Sequence, residues 1–510
     1  MTTKRNILLI TTDQMRFDAL GCNGGTIATT KNIDSLAERG INYLRAHNQN
    51  VACMPARATI ITGQHVGSHG VWMNGVSMPE DRHTIAHHLK DHGYDTALFG
   101  KAHFEPWLGS PETFFENRMA QMGITGPHRG FDRMELANHF FEGHSHYDLR
   151  MNDYPEVKSR FYPMVTSRGQ NTVSKGETGA VQVWPMEIPS ELYHTNWVAE
   201  RTISWLKERP KENPWFCWLS FPDPHHPWDV PENELKRIPW REIPLPKLYS
   251  EDKNKILEWL NQKPSHWRGY YEGNLWTNLE SPRDFKPKDL TPDQILEINA
   301  ITHVENELID EACGKVIECL KTQNMFDTTD VFFTTDHGEL QGDFGLLFKG
   351  PYHVDALMRV PLIWAPAPFT ATKPCVIESP VGHVDLAKTF CQIANISAPE
   401  YCEGSALPKT EADIARKGLI YTEWDSEHQG ITMRLRSVYH KDGFLCTTYG
   451  KNHFYDGTEG ELYDMNEDPM QAHNRWNDLS LRNTQNDLIE TIANDLPVWR
   501  GDRLPRLAPV

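Results

Sequence analysis

The sequence predicts an α/β fold: an α/β/α sandwich on a large mixed sheet, followed by a smaller C-terminal α+β subdomain with an antiparallel sheet. Three observations carry this. Short β-rich runs at 6–12, 214–221 and 330–335 are apolar without alternation, as strands buried on both faces are. Amphipathic helical stretches lie between them. Beyond about residue 403 the pattern turns to short alternating segments, which suit an antiparallel sheet with one wet face. The expected domains are therefore 1–403 and 404–510, and 510 residues suffice for a large core.

Taken in order, run 6–12 delivers Asp13 and Gln14 at its C-terminal end, the edge where open α/β sheets bind ligands. A carboxylate there can equally cap a turn. Helices are expected over 32–39, closed by Gly40, and over 83–92, closed by Gly93. Strand 94–99 runs into Gly100-Lys101-Ala102-His103, and strand alternation would aim Lys101 and His103 the same way. From 107 to 189 periodicity is lost, which reads as an insertion lying over the site. A helix over 192–209 restores the rhythm, and strand 214–221 ends at Pro222-Asp223-Pro224-His225-His226-Pro227.

A second irregular insertion, 230–288, carries Trp240, Trp259, Trp267 and Trp276, indoles that fill core space or stack on a ligand. Thr291-Pro292-Asp293-Gln294 is a capping box with Pro at the first helical position. The helix it opens carries Ile295, Ile298, Ile301, Leu308, Ala312, Val316 and Leu320 on one stripe, a core face. Strand 330–335 then runs into Asp336 and His337, Lys349 follows in a loop, and a helix over 383–394 closes the large domain. Strands at 419–423, 432–439 and 443–448 and a terminal helix make the subdomain.

A net charge of −18 disfavours nucleic acid and anionic membranes as partners, so an anionic substrate needs a local cationic pocket. The nine cysteines are scattered and contain no Cys-x-x-Cys, against a disulfide framework or a zinc cage and in favour of a reducing compartment. The apolar run after Lys4 and Arg5 is too short for a signal peptide, and no stretch is long enough to span a bilayer. A cytoplasmic protein is expected. No motif fixes the oligomeric state, and a homo-oligomer is allowed.

The stretch 51–63 holds the most specific motif. Pro55 fits the first turn of a helix, which places Cys53 at a helix N-terminus, where free N–H groups and the dipole favour an anion. Arg57, one turn on, adds a forked cation. A lone cysteine is ordinarily just a buried thiol. Here Cys53-x-Pro-x-Arg57, followed by Thr62-Gly63, resembles the signature of type I sulfatases, whose cysteine is oxidised to Cα-formylglycine by a dedicated formylglycine-generating enzyme. The spacing differs from the Cys-x5-Arg of cysteine-dependent phosphatases.

Asp13-Gln14, Gly100-Lys101-x-His103, Pro224-His225-x-Pro227, Asp336-His337-Gly338, Lys349, Arg359-Val-Pro-Leu-Ile, Glu461-Leu-Tyr-Asp464, Asp468-Pro469 and Asn474 extend that resemblance in order along the chain. The chain resembles sulfatases of the alkaline phosphatase superfamily over nearly its whole length. Asp-Gln and Asp-His replace the more usual Asp-Asp and Asp-Asn pairs, departures shared with choline sulfatases and phosphonate monoester hydrolases. The resemblance implies one divalent cation on Asp13, Gln14, Cys53, Asp336 and His337, with Ca2+ the family default and Mn2+ the alternative that an added nitrogen favours.

It further implies cleavage of an aryl or saccharide sulfate ester by a formylglycine hydrate. Arg57 and Lys101 would orient that hydrate, and His103 would be the base for release of sulfate. His225 with Lys349 would be the proton source at the leaving oxygen, and Asn74, Lys101, His225 and Lys349 would contact substrate. Two other readings stand beside it. One is a phosphonate monoester or phosphodiester hydrolase with the same nucleophile, disfavoured by Lys101 and His103, where phosphonate-cleaving relatives tend to carry smaller hydroxyl-bearing residues. The other is a non-catalytic sulfated-glycan binder, which would need no oxidisable cysteine.

Overall fold

The computed structural model describes residues 4–107, 114–139, 145–160, 174, 176–275, 281–282, 284–413, 418–428, 430–499 and 502–508. In the first part of the chain the strands are β1 Asn6–Thr12, β2 Ile41–Tyr43, β3 Ala46–His47, β4 Asp95–Gly100, β5 Arg133–Leu136, β6 Trp215–Ser220 and β7 Thr329–Thr335. The remainder are β8 Leu362–Ala365, β9 Cys375–Ile377, β10 Val381–Gly382, β11 Leu419–His428, β12 Ile431–His440, β13 Phe444–Tyr449 and β14 Gly460–Asp464. Eight of them form one sheet in the order β5-β4-β6-β1-β7-β8-β2-β9. Only β8 runs against its neighbours β7 and β2, so the sheet is mixed.

Every residue of β1 is buried, because helices cover both faces of the sheet. Leu8 and Ile10 pack with Ile298, Ile301 and Val316 of the helix Pro292–Thr322 and with Val198 of the helix His194–Glu208. Ile7 and Leu9 pack on the other face with Ile60 and Ile61 of the helix Cys53–Thr62 and Phe390 of the helix Leu386–Ala394. This is the expected α/β/α sandwich. The capping box at Thr291 is formed, with its side chain accepting from Gln294 N.

The four-stranded antiparallel sheet β11-β12-β13-β14 stands apart. One face buries Val438, Cys446 and Leu462 against Leu488 and Ile492 of the terminal helix Arg482–Asp495. Its other face buries Leu435, Leu445 and Tyr463 with Trp259, Trp267 and Tyr270. A strand the sequence reading missed, β14, closes the sheet, since Glu461-Leu-Tyr-Asp464 was read only as a landmark.

Two expectations need correction. Segment 107–189 is not merely an insertion over the site, because Arg133–Leu136 within it is the edge strand β5, paired in parallel with β4. Four residues with two charges carry too little periodicity to reveal that. Likewise the stretch 230–288 contributes helices Lys253–Leu260 and Ser265–Tyr271 to the core under the small sheet. Trp267 is fully buried and Trp259 nearly so, as core fillers, while Trp240 is half-buried with its indole N–H on Glu177. Trp276 lies outside the described residues. Among the described residues no helix is long and apolar enough to cross a membrane.

Candidate active site

β1 is the hinge of the site because it lies between β6 and β7, with Thr11 opposite Ser220 and Thr12 opposite Thr335. All three strands are parallel, so the residues just past their C-terminal ends meet at one edge. Asp13 N donates to Asp223 O at 2.9 Å and Asp336 N to Thr12 O at 3.3 Å. The helix Cys53–Thr62 points its N-terminus at this edge, with Cys53 as first residue and Gly63 ending it in the left-handed region at φ 67°. Asn74 Oδ1 accepts from Met54 N at 3.0 Å, occupying one of the free N–H groups of the first turn.

Four buried ionic groups interlock here. Arg57 is fully buried and spans both carboxylates, Nε to Asp336 Oδ2 at 2.9 Å and Nη2 to Asp13 Oδ2 at 3.2 Å. Its Nη1 donates to Lys101 O at 2.7 Å and Ser220 Oγ at 2.8 Å. Lys101 Nζ sits 2.6 Å from Asp13 Oδ2. Burial alone would raise the Asp13 carboxyl, but Lys101, His225 and Arg57 together hold it well below the usual carboxylate range. Burial and then the Asp13 charge push the Cys53 thiol up, against the pull of Lys101, so sulfur at this position is not a thiolate.

Cys53 Sγ lies 3.1 Å from His337 Nε2, 3.6 Å from Asp13 Oδ1 and 4.0 Å from Lys101 Nζ. Asp13, Cys53, Asp336 and His337 each present one ligand atom within 4.8 Å of the others, and all four are buried. His337 Nδ1 donates to Gly338 O at 2.9 Å, which leaves the Nε2 lone pair facing the carboxylates. Burial pushes the His337 ring below its ordinary value, keeping it in the neutral form that a ligand needs. The donor set of two carboxylates and one imidazole fits a hard or borderline divalent cation.

A family model described as Sulfatase matches residues 5–396. The chain belongs to the sulfatase family. A second model, N-sulphoglucosamine sulphohydrolase, C-terminal, matches residues 342–496 of this sulfatase. It is 26% identical over 522 residues to the uncharacterized sulfatase YidJ of Escherichia coli, covering 98% of this chain and 92% of that one. It is 26% identical over 489 residues to an arylsulfatase of Clostridium perfringens, covering 93% and 90%. A crystal structure of the phosphonate monoester hydrolase of Agrobacterium radiobacter superposes with a TM-score of 0.75 at 22% identity, covering 96% and 95% of the two chains. The sulfatase is a hydrolase of sulfate esters, and its family implies both a metal ion and formylglycine.

The rest of the sulfatase's site lies on the far side of Gln14. Lys349 Nζ donates to His225 Nε2 at 2.8 Å and to Gln14 Oε1 at 2.9 Å, bringing together the pair expected at the leaving oxygen. Gln14 is therefore next to the donor group, with its amide oxygen on Lys349 and its backbone N donating to Asp336 Oδ1 at 3.1 Å. Its φ of 71° holds it out of strand geometry. Burial and Lys349 push the His225 ring well below its ordinary value, so it is neutral against the ammonium.

Lys101 and His103 do not share a face through strand alternation. β4 ends at Gly100, whose φ of 107° and 1.7 Å clearance to Ser220 O for any Cβ exclude other residues, and His103 follows at φ 59°. Two groups that the sequence reading did not single out also pack against the site, Glu339 and Arg506. Glu339 Oε2 accepts from Gln14 Nε2 at 2.6 Å, and its carboxyl is pushed by burial up to about 7. Asn74 is anchored from outside: Arg506 Nε donates to its carbonyl at 3.1 Å and Leu507 N to Gly75 O at 2.8 Å. The Asp-His-Gly-Glu run was visible, and its acid three residues past Asp336 was the available signal for Glu339.

Proposed function

We propose that this sulfatase cleaves an aryl or carbohydrate sulfate monoester, with residue 53 as Cα-formylglycine and one divalent cation on Asp13, Gln14, Asp336 and His337. Ca2+ is the proposed ion and Mn2+, which the imidazole of His337 favours, the alternative. The observation that carries this is the position of Cys53: the first residue of a helix, buried between the cation donors and Lys101. When present, the cation supplies a Lewis acid and the formylglycine hydrate a hydroxyl nucleophile where a thiol would be inert. Relatives include an N-acetylglucosamine-6-O-sulfatase of Bacteroides thetaiotaomicron and a choline-sulfatase of Rhizobium meliloti, which supports a sulfate ester as substrate.

The chain's own groups then divide the work. Arg57 fixes Asp13 and Asp336 against each other and so sets the donor geometry. Lys101 and Lys349 add positive charge beside the N-terminus of the helix, where the sulfate oxygens would bind with Asn74. His103 accepts and returns a proton at its ring. Lys349 Nζ, held on His225 Nε2, is the proton reservoir for the leaving oxygen. Maturation needs a formylglycine-generating enzyme as partner. The other eight cysteines are free thiols, which supports a reducing, cytoplasmic setting.

The test is co-expression with a formylglycine-generating enzyme, mass spectrometry of the Cys53 peptide, and rates on an aryl sulfate and an aryl phosphonate monoester. An aldehyde at residue 53 with faster sulfate hydrolysis is expected. Unmodified thiol with no ester cleaved would sink the reading. A rate ratio favouring the phosphonate would replace it with phosphonate monoester hydrolysis at the same site.

A further inference from the structure

Behind the loop that carries His225 lies a second group of metal-type donors that shares no residue with the first. His139, His194, Asp223 and Asp229 each present a ligand atom within 4.8 Å of the other three, and all are buried. His194 Nε2 is 2.7 Å from Asp223 Oδ1, and His139 Nδ1 is 3.5 Å from Asp229 Oδ2 and 4.0 Å from Asp223 Oδ1. Three elements contribute: the turn after β5, the first residue of the helix His194–Glu208, and both ends of the loop after β6. The loop is the one that places His225, and its Asp223 carbonyl receives the Asp13 amide.

An independent feature points to a cation here. Glu305, on the helix Pro292–Thr322, is fully buried, and apart from the Asp229 amide neither of its carboxylate oxygens has a hydrogen-bond partner among the described residues. Burial, then Asp223 and Asp229, push its carboxyl well up. Neither Asp223 nor Glu305 is paired with a lysine or arginine among the described residues. The contrast with Asp13 and Asp336, which share Arg57, is sharp. Glu305 is thereby held as a neutral acid, and the carboxylates of Asp223 and Asp229 converge with two imidazoles as donors that one divalent ion can bridge.

We propose that His139, His194, Asp223 and Asp229 form a closed structural site for a divalent ion of the Zn2+ class, and that this ion fixes the loop carrying His225. Two imidazoles and two carboxylates without thiolate form a borderline N2O2 set, and four buried protein ligands mark a structural site. With ligand bonds of about 2.0–2.2 Å, tetrahedral donors stand roughly 3.3–3.6 Å apart. The His139 distances match within a few tenths of an ångström, and the His194–Asp223 contact has to open by about 0.6 Å. The rival occupant is a proton, with His194 and His139 as imidazolium partners of the two aspartates. The proposal does not depend on the oxidation state of residue 53.

The full-length chain, stripped with chelator and equilibrated with Zn2+, is assayed by plasma mass spectrometry. Two ions per chain are expected in the unaltered protein, one in Asp336→Ala and none once His194→Ala is added to it. Uptake unchanged by His194→Ala, or a single ion that Asp336→Ala removes, would overturn the site. X-ray absorption of the Zn2+-loaded Asp336→Ala protein should show two imidazole ligands, and an oxygen-only shell would also overturn it. If His194→Ala does not fold, that spectrum decides together with His139→Gln. His139→Gln should weaken Zn2+ binding at least about 10-fold, the lower end of what even an outer-shell partner costs.

Discussion

The chain buries ions in two places by different means. At the edge of the large sheet, Asp13 and Asp336 are held by Arg57 and Lys101, with Lys349 close by, all with side chains at most a few per cent exposed. Under the small sheet, in the turn between the helices Lys253–Leu260 and Ser265–Tyr271, Lys263 faces Glu461 of β14 at 3.8 Å. Neutral groups do most of the pairing there. Lys263 Nζ donates to Tyr463 Oη and Gln471 O, each at 2.6 Å, while Tyr449 and Tyr463 hydroxyls donate to the two Glu461 oxygens. Trp267, Phe344 and Tyr463 rings surround the ammonium at 4.9, 4.6 and 4.5 Å.

The difference teaches what a buried charge is for. Ions cross-linked to other ions keep their charge whatever binds beside them, so a cation and an anionic ester can enter without re-protonating the walls. An ion held by phenols and ring faces ties two layers together and has no spare charge to offer a ligand.

Arg57→Ala should break the first cluster outright. Two buried carboxylates lose their shared partner, so kcat/KM on an aryl sulfate should fall at least about 10³-fold. Unfolding free energy should drop by about 3–5 kcal/mol. Urea unfolding alongside the assay measures both, and a stable, active Arg57→Ala protein would end the idea of a cross-linked cluster.

His225→Ala should cost rate without stability. Lys349 keeps Gln14 as a partner, so the fold should hold to within about 1 kcal/mol. Turnover of alkyl or sugar sulfates, whose leaving oxygen needs a proton, should fall about 10²–10⁴-fold, and that of activated aryl sulfates far less. Equal losses on both would remove the Lys349–His225 pair from the acid role.

Much of this cluster was legible in the sequence for a physical reason. β1 and β7 are fully buried strands with apolar centres, each followed at once by an aspartate, and parallel strands discharge such residues at one edge. Helix-borne Cys53 and Arg57 were readable because Pro55 fixes the register of their turn. What could not be read were pairings across the chain. Gln14 meets Glu339 at a separation of 325 residues and Lys349 at 335, and no local pattern encodes either. β5 is four residues long and half charged, and Gly100 redirects Lys101 and His103 through a clearance set by Ser220, a neighbour in space and not in sequence. Glu461 was noticed only as a landmark, since nothing beside it announces Lys263.

Lys263→Met sharpens the comparison with the smallest effect. Methionine keeps the length of the stem against Trp267 and Phe344 but leaves Glu461 with its two phenols, so the loss should be near the low end of a broken buried pair, about 3 kcal/mol. kcat/KM should stay within about twofold, because ΔΔG at distant sites does not couple. The pH dependence gives a second readout. Burial pushes the Lys263 ammonium down to about 8, with Glu461 opposing only in part. The folded chain then sheds this proton before the unfolded chain does, so from about pH 8 to 10.5 the unfolded state binds more protons and stability rises with pH, by up to about 3 kcal/mol. Below that window the penalty is constant. Urea melts across it should show the rise in the unaltered protein and its absence in Lys263→Met. If both proteins follow the same curve, Lys263 keeps an ordinary ammonium in the fold, and the neutral partners around it solvate charge as well as the arginine of the catalytic cluster does.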